Sequence, residues 1–276
     1  MKKKNMMVNI LVYMFLIIGA MYTLFPLLMA LMNSFKTNGQ LLTNVISLPD
    51  RIHFENYIRT FEKMKYLRSL GNTVLLASVS VSLMILFSAL AGWKLSRTKT
   101  RLSKIIFSLF VFSMLIPFSS IMIPLYKVTL TLHLKNSLLG LSLVYAGLGV
   151  SMAIFLYHGF VKGIPMELEE AAGIDGSSSI QTFFYVIMPL LKPITTTICI
   201  TNVLWVWNDF LLPLIVLSSN KKYTLLLSTN TLFGQYSSDW TAILSALILA
   251  AIPVIGFYAL FQKQILKGIA DGAVKG

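Results

Sequence analysis

This chain predicts an all-α, polytopic membrane protein, and three observations carry that prediction. Apolar residues make up 56% of its 276 residues and charged ones only 12%, with a mean hydropathy of +0.77; soluble domains run to about 25% charged. The apolar residues gather into six stretches, each close to the length of about 20 residues that a helix needs to cross a bilayer. No dyad alternation of the kind a membrane barrel requires is present. In lipid, that leaves the helix as the way to satisfy every backbone N–H and C=O.

Six transmembrane helices are expected at about 8–32, 69–93, 105–126, 136–160, 193–218 and 241–262, all within a single transmembrane domain over 1–276. Lys2, Lys3 and Lys4 ahead of an apolar run imitate a secretion signal. Signal cores are about 7–15 residues long, however, and the uncharged stretch 6–35 is far longer, so an uncleaved first span is expected. The second span is uncharged throughout, and the fifth is interrupted only by Asp209. Pro26, Pro117, Pro124, Pro213 and Pro253 fall inside or near the ends of spans, where kinks are expected and neighbouring helices absorb them. Cys199, the only cysteine, lies in an apolar run. It reads as a small buried apolar side chain, since one cysteine forms no internal disulfide and no cysteine-based metal site.

The net charge of +13 has its plainest meaning at the membrane, where Lys and Arg between spans set topology and meet anionic headgroups. Nucleic acid is not an expected partner. With the N-terminus inside, the inner segments 1–5, 94–104, 162–192 and the tail from Lys263 hold 13 of the 23 basic residues. The short segment with Lys94, Arg97, Lys99, Arg101 and Lys104 is the strongest local signal for the inner side. The expectation is therefore a cytoplasmic N-terminus and C-terminus. Segment 36–68 is then external; it reads as a surface helix or a cap over a pore.

Several chemistries are missing. No G-x-x-x-x-G-K-[ST] loop is present to cradle nucleotide phosphates, and no G-x-S-x-G elbow. His53, His133 and His158 are scattered, without partners at ligand spacing, so no metal site and no catalytic residue is expected. The chain does not read as an enzyme.

One polar segment stands out between the fourth and fifth spans, over 162–190. Glu167, Glu169 and Glu170 crowd into four positions ahead of Ala171, Ala172 and Gly173. Residues 166–173 favour helix, and Pro165 suits the turn before it. Asp175 leads to Gly176, which can take positive φ and reverse the chain. One of Ser177, Ser178 and Ser179 can cap a second helix, which is expected to stop at Pro189. The prediction is a cytoplasmic helix-turn-helix loop.

The layout of Glu170, Ala171 and Ala172, then Gly176, then Val186, Met188 and Pro189 resembles the EAA loop of ABC importer permeases. Trp207-Asn208-Asp209-Phe210 is similar to an element in the fifth span of carbohydrate-importer permeases. The tail from Lys267 to Gly276 resembles the ending of the maltose-type second permease. The resemblance runs from about residue 165 to the end.

It implies a permease subunit that forms half of a translocation path for a sugar or oligosaccharide. The implied partners are a second permease, two ATPase subunits and an extracytoplasmic sugar-binding protein, in a bacterial cell membrane. ATP and Mg would be held by the partner ATPase, and no cofactor by this chain. Glu167, Glu169, Glu170, Ala171, Ala172, Gly173, Asp175, Gly176 and Pro189 are the implied ATPase-coupling residues. Trp207, Asn208 and Asp209 are candidates for the sugar path, because sugars are bound by hydrogen bonds together with aromatic faces. A charge inside a span is costly, so Asp209 should face protein or water. The alternative is a stand-alone secondary transporter or channel. That reading asks for several intramembrane ion-binding groups where only Asp209 is available, and it leaves the acidic loop without a purpose.

Overall fold

A computed structural model describes residues 2–234 and 239–273, with side chains over 9–234 and 239–264. In chain order the helices are α1 (Lys2–Ser34), α2 (Asn38–Thr43), α3 (Glu55–Lys63), α4 (Tyr66–Arg97), α5 (Arg101–Ser113), α6 (Phe118–Thr131), α7 (Leu138–Val161) and α8 (Glu167–Ile174). They continue with α9 (Ser179–Gln181), a π-helical stretch (Thr182–Ile187), α10 (Met188–Leu190), α11 (Lys192–Asn208), α12 (Leu211–Val216), α13 (Leu225–Ser228) and α14 (Trp240–Ala273). The chain divides into two compact units, one of Met1–Tyr66 with Ser228–Pro253 and one of Leu67–Leu227 with Val254–Gly276.

Among the described residues, four helices are long and apolar enough to cross a membrane: Asn9–Ser34, Tyr66–Arg97, Leu138–Val161 and Trp240–Gln264. Two bent pairs raise the number to as many as six. The stretch expected as a third span, 105–126, is not one straight helix. It breaks between α5 and α6, which meet at 107°. Pro117 has no N–H to donate and drives the residue before it out of helical geometry, so the chain turns there. The stretch expected over 193–218 likewise ends one helix at Asn208 and begins another at Leu211.

In the first unit, the polar face of α3 points inward. Asn56 and Thr60 are buried, while Ile58 is exposed. The reason lies in the carbonyls left free where α1 ends. Asn56 Nδ2 donates to the carbonyls of Ser34 and Lys36, both at 2.8 Å. Thr60 Oγ1 reaches the Ala242 carbonyl on α14 at 3.3 Å. Lys36 is wholly buried, and its Nζ donates to the Asn44 and Val45 carbonyls just past α2. Asp239 caps α14: its Oδ1 accepts from the Ala242 N–H at 3.1 Å, the Thr241 hydroxyl at 3.0 Å and the Asn38 amide at 3.0 Å. Its Oδ2 pairs with Arg59 at 2.8 Å. Burial pulls this carboxyl upward, but the Ala242 N–H, the Thr241 hydroxyl, the Arg59 charge and the Asn38 amide together hold it below its ordinary 3.8.

In the second unit, α4 and α7 approach each other closely at Gly92. A Cβ at Gly92 would lie 2.6 Å from the Cβ of Tyr157 and 3.0 Å from the His158 nitrogen. Small and hydroxyl residues let membrane helices approach and bond in this way. Ser88 Oγ donates to the Val150 carbonyl at 3.3 Å, the Ser113 and Ser151 hydroxyls meet at 2.8 Å, and the Tyr157 hydroxyl reaches Thr195 Oγ1 at 2.9 Å. Two apolar clusters fill this unit. One joins Leu76, Met84, Leu141, Tyr145, Val206 and Val216. The other joins Ala89, Ala153, Tyr157, Phe183, Ile187 and Leu191, and it seats the segment after α8 against α4 and α7.

Candidate functional site

The acidic segment folds as a short helix, a reversal and a return helix. α8 begins with Glu167, Glu169 and Glu170 in its first turn, where carboxylates complement the free N–H groups and the positive end of the helix dipole. It ends in a Schellman arrangement. The Ser177 N–H bonds to the Ala172 carbonyl at 2.9 Å and the Gly176 N–H to the Gly173 carbonyl at 3.1 Å, with Gly176 at φ +84°. Ser178 then opens the return helix with a capping box. Its hydroxyl accepts from the Gln181 N–H at 3.4 Å, and its own N–H donates to Gln181 Oε1 at 2.8 Å.

The return helix runs unbroken from Ser179 to Leu190. Pro189 therefore lies within it rather than ending it. A proline there offers no N–H and crowds the carbonyl four residues back. The wider π turn over Thr182–Ile187, in which the Met188 N–H bonds to the Phe183 carbonyl, accommodates it. Phe183, Ile187 and Leu191 face inward with no exposure, while Tyr185 is 80% exposed. The bend follows at Leu191, where the return helix meets α11 at 75°.

The candidate residues divide into two groups. Glu167, Glu170, Ala171, Gly173, Asp175 and Gly176 are exposed, and Ala172 is half-buried. Leu168 and Ile174, the latter 88% exposed, join them to form a face that is acidic and apolar at once. Glu169 points the other way. Its Oε1 accepts from Arg97 Nε at 2.7 Å and its Oε2 from Trp93 Nε1 at 3.0 Å. Arg97 Nη2 also donates to the Ile164 carbonyl at 2.8 Å, and the Trp93 ring lies 5.3 Å from that of Phe183. Sequence reasoning missed Trp93 and Arg97. Arg97 is indistinguishable from the topogenic charges around it, and Trp93 from the apolar residues of its span. The one available signal was their spacing of four, which places both on one face of α4.

The other candidate group sits where α11 gives way to α12. Asp209 is extended, at φ −82° and ψ 128°, and its Oδ1 accepts from the Leu211 N–H at 2.9 Å and the Leu212 N–H at 3.4 Å. Its Oδ2 accepts from the Tyr145 hydroxyl at 2.8 Å. Tyr145 is fully buried and meets the Trp205 ring edge-on at 5.3 Å. One carboxylate oxygen thus serves the break in the helix and the other ties it to α7, which explains how a charge is tolerated there. Trp207 is half-buried. Asn208 is exposed and returns its amide to the Leu204 carbonyl at 2.8 Å. Among the described residues, no three His, Cys, Asp or Glu stand together to hold a metal ion. The tail over 267–276 lies outside the residues whose side chains are described.

Residues 84–270 match the family model described as "Binding-protein-dependent transport system inner membrane component". Similar proteins include the "Probable starch degradation products transport system permease protein AmyC" of Thermoanaerobacterium thermosulfurigenes, 36% identical over the full length of both chains. The "Melibiose/raffinose/stachyose import permease protein MelC" of Bacillus subtilis is 33% identical, with 91% of each chain covered. The "Multiple sugar-binding transport system permease protein MsmG" of Streptococcus mutans is 32% identical over both full chains. The fold is similar to a chain in the crystal structure of a bacterial ABC transporter involved in the import of the acidic polysaccharide alginate. The TM-score is 0.81 at 23% identity, covering 94% of this chain and 97% of that one.

Proposed function

From the premise that this chain belongs to the family of binding-protein-dependent transport system inner membrane components, we propose that it forms half of the translocation path of an ATP-driven sugar or oligosaccharide importer. We further propose that α8 is where an ATPase docks. The sugar class is supported by relatives named for starch degradation products, for melibiose, raffinose and stachyose, and for multiple sugars. In this reading a second permease completes the path, two ATPase subunits hold ATP and Mg, and an external binding protein delivers the sugar to a multi-pass protein of the bacterial cell membrane. Both termini are cytoplasmic.

The docking assignment is carried by the exposed face of α8. Glu167, Leu168, Glu170 and Ile174 project from a helix whose far side is held by Arg97 and Trp93 and whose end is closed by the Gly176 turn. A rigid helix with apolar and acidic groups free on one face suits the cleft of a partner that must move it without slippage. Trp207 and Asn208 remain the candidates for lining the sugar path. Asp209 supports them by holding the α11–α12 joint in shape. The test is to purify this chain with its neighbouring permease and ATPase and compare Gly176→Pro and Glu170→Lys with the parent. Loss of the ATPase with the two permeases still paired is expected. Retention of the ATPase by both variants would reduce the segment to a connector and return the stand-alone transporter to consideration.

A further inference from the structure

We propose that Glu169, Trp93 and Arg97 form a latch that fixes the docking helix to α4, so that α4 is carried whenever the ATPase moves α8. The inference rests on reading α8 as the docking element, and it assigns to these three residues a positioning role that the docking face itself does not have.

The geometry is specific. Trp93 and Arg97 stand four residues apart on the last turn of α4, so both side chains leave the same face. Each takes one oxygen of the same carboxylate, at 3.0 and 2.7 Å. The remaining arm of Arg97 holds the Ile164 carbonyl at 2.8 Å, which fixes the turn between α7 and α8. Trp93 in addition packs on Phe183 of the π stretch. The last turn of α4 therefore grips the docking segment before α8, on α8 and after the reversal. The ion pair is shielded, with side chains 17% and 12% exposed. An exposed pair would exchange readily with water. Breaking a shielded one strands a charge, so the pair resists separation. Next to the latch, α4 also packs closely on α7 at Gly92, where an added Cβ would lie 2.6 Å from the Tyr157 Cβ. Glu167 and Glu170 are exposed and take no part in the grip.

The test uses the assembled transporter in lipid nanodiscs. The background is Cys199→Ser, with spin labels at Lys99→Cys beyond α4 and at Ser177→Cys, whose N–H is bonded to α8. The parent should give one narrow distance that Mg·ATP leaves unchanged, because both ends move as one body. Glu169→Gln keeps the volume but offers one amide oxygen where two donors converge. It should retain the ATPase, yet show a broad distance that Mg·ATP shifts by roughly 3–5 Å. Arg97→Ala should do the same. The double variant should be no worse than either single change, because the residues act as a pair. Distances that stay narrow and insensitive to ATP in both singles would overturn the latch. So would loss of the ATPase from Glu169→Gln, which would make Glu169 part of the docking face. Failure of the docking assignment itself is seen separately, as retention of the ATPase by Gly176→Pro and Glu170→Lys.

Discussion

Asp239 shows how much a single side chain organises at the start of the last helix. One oxygen caps α14 and gathers Thr241 and Asn38, and the other holds Arg59 of α3. Because its carboxyl is held below the ordinary value, the folded form binds the proton less readily than the unfolded chain does. Its contribution is therefore present above the unfolded pKa near 3.8 and lost as pH falls through the lower folded value. Asp239→Asn keeps one acceptor and loses the Arg59 pair. It should cost about 1 kcal/mol at neutral pH. Thermal melting in detergent should show the parent's advantage constant from about pH 5 to 8 and shrinking below about pH 4. An advantage that persists undiminished at acid pH would show that it does not depend on the charge of the carboxylate. Gly176 was legible in the sequence for a different reason. A reversal between two polar helices needs one residue at positive φ, and glycine accepts it without a Cβ clash.

At the scale of elements, the glycines of the α4–α7 seam are not equivalent. At Gly92 a Cβ meets the Tyr157 Cβ and the His158 and Ile154 backbone, none of which can retreat without moving α7. At Gly149 the first obstacle is the Met84 thioether, the end of a flexible side chain. Gly92→Ala should therefore destabilise by about 1–3 kcal/mol, and Gly149→Ala by clearly less, as read from detergent melting midpoints. Equal losses would show that the seam is looser than its backbone distances imply. Apolar length and helix propensity made the long helices and α8 readable in advance, and a serine cap was expected at one of Ser177, Ser178 and Ser179. Pro117 signalled a kink, but composition does not distinguish a slight bend from the 107° between α5 and α6, and it does not mark the break at Asp209. Nor does it reveal the grip on Glu169, since Trp93 and Arg97 are far away in sequence and which way a carboxylate points depends on tertiary packing. The π stretch was hidden too. It reconciles Pro189 with a continuous helix, and nothing in the local residues distinguishes that outcome from a simple stop.

At the scale of the whole molecule, orientation decides whether the proposed docking face can meet an ATPase at all, because ATP is cytoplasmic. Charge is the signal for orientation. Lys94, Lys99, Arg101 and Lys104 cluster between two apolar stretches, and short basic segments of this kind stay inside. Segment 36–68 is also basic, but it is longer and mixed with Asp50, Glu55 and Glu62. It folds around the end of α1 rather than lying as a free charge run. The single native cysteine makes this easy to test, since Cys199→Ser removes all background. Lys99→Cys should then react with a membrane-impermeant maleimide only in inverted vesicles, and Leu48→Cys, 76% exposed, only in intact spheroplasts. The reverse pattern would place α8 outside the cell and remove the ATPase from contention. Reaction of both positions from one side would require an even number of crossings between them. Only the expected pattern leaves the acidic face of α8, the latch behind it and the source of ATP on the same side of the membrane.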